Sequence, residues 1–355
     1  MGTKILAAAG LAAILLAAGG TGMGQITIET VPVGNPGNAP DTRHSYPGHG
    51  AVGYEFSIGR YEVTAGQYAV FLNAVAATDV YELYNTNMWS SSYGCKIQRS
   101  GLSDSYTYSV AADWADRPVN YVSWGDAARF ANWLHNGQPI GPQGLTTTED
   151  GAYFLNGAMS DTALVAVSRE ADWKWAIPSE DEWYKAAYHE NDGVTGNYLH
   201  YPTSTDTIPG YINNSGDFCR TGDGSFTEGG ADPGNYATYD GDYGPDGIGS
   251  PYYRTEVGEH ENSDSLYGTF DQGGNVSEWN EANSWSESYR GLRGGSFRSD
   301  TMSLYALYGS IRVATGEGDS LGFRVSEVPE PASMAVLALG SIAMLPRRRY
   351  GVRRL

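Results

Sequence analysis

Apolar residues recur three or four positions apart in three short stretches, and each stretch opens on a capping signature. Thr64 and Gln67 have the spacing of a capping box, and Tyr68, Phe71, Leu72 and Val75 follow on one helical face. Ser123 and Asp126 repeat the device before Ala127, Phe130, Ala131 and Leu134. Pro178, Ser179 and Glu182 repeat it again before Trp183, Ala186 and Ala187. Strand-like alternation is confined to Gln25–Val33 and Tyr54–Arg60, with further short strands expected between Val257 and Val325 around the Gly294-Gly295 pair. Between these elements the chain is polar and aperiodic. Tyr81–Asp116 is too long for an ordinary connection. Gly141–Asp161 reads as loop with room for a short hairpin. Gly193–Tyr253 is nearly all Gly, Asp, Asn, Tyr and Thr, a composition that stays mobile unless ions pin it. The pattern predicts three short helices set in much irregular chain.

Both ends have a different character. Lys4 precedes the apolar run Ile5–Ala18 and then small residues to Gly24, which reads as a secretory signal peptide over residues 1–23. At the other end, Ala332–Leu345 carries no charge and is followed by Arg347, Arg348, Arg349, Arg353 and Arg354. Those 14 residues rise only about 21 Å as a helix, short of a typical span, although arginines snorkelling at one end help hold such a segment in a thin bilayer. The chain has a net charge of −19, and the arginine-rich tail means that the central region is more acidic still. Such a surface repels nucleic acid and suits calcium or a cationic partner. The only cysteines are Cys95 and Cys219; export would allow a disulfide, but spacing does not show that they meet.

Five ordered segments resemble the formylglycine-generating enzyme, or sulfatase-modifying factor, family. They are Ile58-Gly59-Arg60-Tyr61-Glu62-Val63-Thr64; Arg117-Pro118-Val119-Asn120-Tyr121-Val122-Ser123-Trp124; Ile177-Pro178-Ser179-Glu180-Asp181-Glu182-Trp183; Gly273-Gly274-Asn275-Val276-Ser277-Glu278-Trp279; and Arg293-Gly294-Gly295-Ser296-Phe297 leading to Gly322-Phe323-Arg324. The resemblance covers most of residues 54–325. It implies an α+β, loop-rich single domain with the C-type lectin-like fold of that family, over residues 24–327. Within these segments, Trp124, Trp183 and Trp279 read as core aromatics, Arg293 and Arg324 as structural ion-pair or backbone-binding residues, and Glu62 as an exposed strand residue. Residues 328–355, with Val328-Pro329-Glu330-Pro331 before the apolar run, resemble the PEP-CTERM sorting signal of bacterial envelope proteins. That implies an exosortase-type processing enzyme as a partner, membrane contact through the tail before processing, and residence at the cell envelope or outside the cell.

The family resemblance also implies structural calcium. One site would take the side chains of Asn235 and Asp246 with the carbonyls of Tyr236 and Ile248. A second would take the side chains of Asp271 and Glu278 with the carbonyls of Gly274 and Val276. Calcium wants six to eight oxygens in flexible geometry, which carboxylates and inward-turned carbonyls supply. Copper is not expected. The family's enzymes hold copper(I) with two cysteines after the Gly-Gly-Ser turn, and those positions here are Ser299 and Leu304; a soft ion finds no thiolate there. His44, His49, His135, His189, His200 and His260 are scattered and suggest no iron site. Three readings remain open: a noncatalytic module for a peptide, glycan or matrix ligand, an unconventional metal-dependent oxidoreductase, and an accessory factor for a secreted sulfatase.

Overall fold

A computed structural model describes residues 24–43, 48–212, 218–219, 226–227, 234–240, 248–283 and 288–328. The expected signal peptide lies outside them, as do the Pro-Glu-Pro tail, His44 and Asp246. Among the described residues no helix is long and apolar enough to cross a membrane.

The elements that position the site are β1 (Thr30–Val33), β2 (Phe56–Gly59), α1 (Ala65–Val75), α2 (Trp124–His135), β3 (Trp175–Ala176), α3 (Glu180–Tyr188), β4 (Ser277–Asn283), β5 (Tyr289–Arg293), β6 (Ser310–Val313), β7 (Leu321–Gly322) and β8 (Ser326–Glu327). The three helices start where their capping boxes place them. Thr64 Oγ1 accepts from the Gln67 amide at 3.2 Å, while the Gln67 side chain accepts from the Thr64 amide at 3.0 Å. Ser123 with Asp126 and Ser179 with Glu182 make the same reciprocal pairs. Each box satisfies two amide donors that a helix start leaves without partners.

These eight strands form two four-stranded sheets. The first runs β1-β2-β8-β3 with antiparallel neighbours, so the C-terminal strand lies between β2 and β3. The second runs β6-β5-β4-β7, with β7 parallel to β4. The Tyr81–Asp116 segment is not bare loop: it holds helical turns at Asn87–Ser90 and Ala112–Ala115 and a hairpin pairing Ile97–Ser100 with Thr107–Val110. Gly141–Asp161 contains no strand pair, and its end opens the short helix Asp161–Ala166, which the sequence pattern did not signal.

The main core joins α1, α2 and the last strands. Phe71 and Phe323 each meet Phe130 edge-on with centroids 5.3 Å apart, and Trp133 closes on Phe71 at 5.3 Å. Trp124, Trp183 and Trp279 are fully buried. Burying such rings contributes a few kcal/mol each and locks the irregular segments together.

A buried carboxylate cluster as candidate functional site

Strand β4 carries Glu278 into the interior, where Arg324 meets it side-on. Arg324 Nε donates to Oε2 at 2.6 Å and Nη2 donates to Oε1 at 2.7 Å, both residues being fully buried. Trp183 Nε1, from α3, donates to the same Oε2 at 2.8 Å. The remaining guanidinium donors reach backbone: the Gly59 carbonyl at 2.9 Å and the Phe270 carbonyl at 2.8 Å. Arg324 thus ties β2, β4 and the Phe270 loop to one point. Arg293 does similar work nearby, pairing with Glu180 at 2.6 Å and donating to the carbonyls of Ala306 and Tyr308.

Two more acids surround this pair. Asp271, held at φ +59°, accepts from the Gly258 amide at 2.6 Å. Glu62 accepts from the Val276 amide at 3.2 Å and from Asn275 Nδ2 at 3.3 Å. Sequence alone suggested an exposed strand residue at Glu62. It is instead buried beyond the end of β2, because the chain turns inward at Tyr61 to start α1. Burial pushes the Asp271 carboxyl up to about 6, partly opposed by the Gly258 amide and Arg324. Burial likewise pushes Glu62 well above the usual carboxylate range, reinforced by the charges of Asp271 and Glu278. Three buried acids therefore surround the one guanidinium of Arg324, and burial biases Glu62 and Asp271 towards their protonated forms.

The acids fit a hard cation. A carboxylate oxygen has two lone-pair sites, so Glu278 Oε2 is filled by two donors while Oε1 keeps one site free. Asp271 retains acceptor capacity beyond its single bond to Gly258. Gly274 turns at φ +94°, and a Cβ there would stand 2.3 Å from the Thr238 carbonyl oxygen, so only glycine lets this loop close beside Asp271 and Val276. Of the other expected set, Asn235 stands at φ +61° with Oδ1 accepting from Thr203 Oγ1 at 2.8 Å. Tyr236 is buried with its amide on Ser263, and Ile248 is part-exposed. Asp246 lies outside the described residues. Among the described residues no three His, Cys, Asp or Glu side chains converge as a metal-ligating group, so any ion here draws on carbonyls as well.

Ser299 and Leu304, the latter ending the helical turn Thr301–Leu304, converge on the Gly295 turn. A Cβ on Gly295 would meet Ser299 Cβ at 3.3 Å and a Leu304 methyl at 3.1 Å. Ser299 Oγ accepts from the Ser296 amide at 2.9 Å and lies 3.3 Å from Ser296 Oγ. Leu304 is fully buried and packs with Tyr201, Ala237 and Tyr239. Beside them is a cavity of about 100 Å³ lined by Ser277, Arg293, Ser299, Ser303 and Tyr308. Cys95 is a buried free thiol, 4.0 Å from the Asn120 carbonyl, and burial pushes its titration upward. His189 is buried between Tyr267 and Thr195, and His135 accepts from the Lys174 amide; both histidines are structural.

No curated protein matches the chain. Solved structures with similarity include "Crystal Structure of CarF" at 17% identity and TM-score 0.48, covering 86% of this chain and 99% of that one. Treponema denticola variable protein 1 matches at 18% identity and TM-score 0.47, covering 87% and 98%. PvdO from Pseudomonas aeruginosa matches at 18% identity and TM-score 0.42, covering 85% and 92%. The Sulfatase-modifying factor enzyme 1-like domain matches residues 11–328. With nearly the whole chain matched, and with its few helices and small sheets set in loops, this protein belongs to that family and has its α+β fold.

Proposed function

We propose that this domain is a calcium-stabilised, noncatalytic binding or structural module of an exported envelope protein. The observation that carries the noncatalytic reading is Leu304. It is a fully buried aliphatic side chain at the position where the family resemblance expects a copper-binding thiolate, and its partner position, Ser299, has its hydroxyl tied to Ser296. Neither side chain offers copper(I) the soft donor it needs. Calcium is supported by the surplus of buried carboxylates around Arg324. Asp271 and Glu278 would hold the ion with the Gly274 and Val276 carbonyls, and the bound charge would stabilise the ionised form of each acid. The second ion would take Asn235 and Asp246 with the carbonyls of Tyr236 and Ile248.

A cavity of about 410 Å³ between Ile26–Glu29 and Tyr61–Val70, edged by Gln67 and Asp116, is of ligand size and supports a binding role for a peptide, glycan or matrix partner. Export and envelope residence rest on the two chain ends, with an exosortase-type enzyme acting on the tail. The test is calcium titration followed by thermal unfolding. Wild type gains several degrees with saturating calcium, and Asp271→Ala gains less while still folding. A calcium-independent melting curve for wild type would sink the calcium part of the proposal. Aldehyde formed on a cysteine peptide with copper(I) and oxygen would sink the noncatalytic part.

A further inference from the structure

Away from the carboxylate cluster, two fully buried side chains converge on one acceptor. The Tyr93 carbonyl receives Arg254 Nη1 at 2.9 Å and Asn120 Nδ2 at 2.8 Å. Asn120 Nδ2 also reaches the Asp319 carbonyl at 2.6 Å. Three buried polar atoms at this junction have no hydrogen-bond partner: Arg254 Nε, Arg254 Nη2 and Asn120 Oδ1. Among the described residues no carboxylate pairs with Arg254. The Cys95 thiol, Glu62 and Asp319 act on it only through space, and Arg117 repels it. Burial pulls its titration down to about 10, which leaves it charged at neutral pH. The Phe297 ring, 5.5 Å from Cζ, attracts the cation without neutralising it. A buried charge without a counter-ion is among the costliest features a fold can carry.

Over this floor lies a cluster of rings. Tyr93 and Tyr253 have centroids 4.5 Å apart, and each stands 6.0 Å from Phe297. Arg298 stacks on Tyr93 at 4.1 Å and is pinned by Asp319 at 2.8 Å. We propose that the free Nε and Nη2 donors of Arg254 hold one small monovalent anion, a halide or a formate-sized carboxylate, beneath the Tyr93–Tyr253–Phe297 cluster. Two parallel N–H donors on one edge of a guanidinium match such an ion. A doubly charged oxyanion such as sulfate needs more donors than the two that are free here. Asn120 Oδ1, an acceptor, does not bind the anion.

The test uses the full-length protein at constant ionic strength, with gluconate, which is too large to enter, as the reference anion. Chloride, bromide and formate are titrated separately while the melting temperature is followed, and crystals grown in bromide are measured at the bromine absorption edge. Saturable stabilisation of a few degrees, with an anomalous peak within hydrogen-bond distance of Arg254 Nε and Nη2, supports the proposal. Stabilisation by halides alone assigns an inorganic ion, and stabilisation by formate alone assigns a carboxylate. Arg254→Met is expected to melt at or above the wild-type temperature in gluconate and to lose the anion response. Should Arg254→Met fail to fold, the wild-type titration and the anomalous map decide alone. Curves that match gluconate for all three ions, with water or nothing at Arg254, overturn the proposal.

Discussion

Glu317 sits in the turn between β6 and β7 and faces Asp126, the third residue of α2, with Asn85 Nδ2 donating to its other side. Two carboxyls in contact cannot both ionise cheaply, so the pair shares a proton. Burial first and the Asp126 charge second push Glu317 up to about 8, against an ordinary value of 4.5. Burial pushes Asp126 up to about 6 despite its bonds from Ser123. Since the folded state holds its proton more tightly than the unfolded chain, the stabilising contribution is complete below pH 4.5 and is lost as pH rises towards 8. A gap of about 3.5 pH units at about 1.4 kcal/mol each sets a ceiling near ~5 kcal/mol. Relaxation of the shared proton cuts the usable part to about 2–4 kcal/mol. Glu317→Gln removes the titrating group while keeping its shape and a donor for Asp126. Urea unfolding of both proteins at pH 5 and pH 8.5 is the assay. The variant should equal wild type within about 1 kcal/mol at pH 5 and exceed it by about 2–4 kcal/mol at pH 8.5. An offset that is the same at both pH values would refute the shared-proton account.

Other parts of the fold give sharp expectations. Arg129→Met strands Glu149, whose carboxylate takes Arg129 Nε at 2.6 Å in a buried pair, and should cost about 3–5 kcal/mol in urea unfolding. Gly274→Ala places a methyl 2.3 Å from the Thr238 oxygen at a left-handed φ, so a loss of at least about 2 kcal/mol and a weaker calcium response are expected. Ser179→Ala removes one half of the capping box on α3 and should cost about 1 kcal/mol, read as a small drop in melting temperature.

What the sequence disclosed follows the range of the interactions involved. Capping boxes join residues three apart, so Thr64, Ser123 and Ser179 announced their helices directly. The core faces of those helices, with Tyr68, Phe71 and Phe130, were legible from period alone. Arg293 and Arg324 were read as structural ion-pair residues, and their bonds to Glu180 and Glu278 bear that out. The burial of Glu62 was invisible, because it depends on Asn275 and Val276 more than 200 positions away. The contact of Asp126 with Glu317 was hidden for the same reason: locally Asp126 is simply a cap partner. Asn120 and Arg254 meet only through the Tyr93 carbonyl, and a backbone acceptor leaves no trace in sequence. The closure of the first sheet by β8 between β2 and β3 is likewise a pairing of distant strands with no local signal.

The central claim is that this chain keeps the family scaffold as an ion-pinned module without the copper chemistry. Elemental analysis of the protein, after exposure to calcium, copper(I) and iron(II) together and removal of free ions, tests it most directly. The account predicts calcium at about one to two equivalents, for the two candidate sites, with copper and iron at background, and one equivalent fewer in Asp271→Ala. Stoichiometric copper retained with no calcium would contradict it.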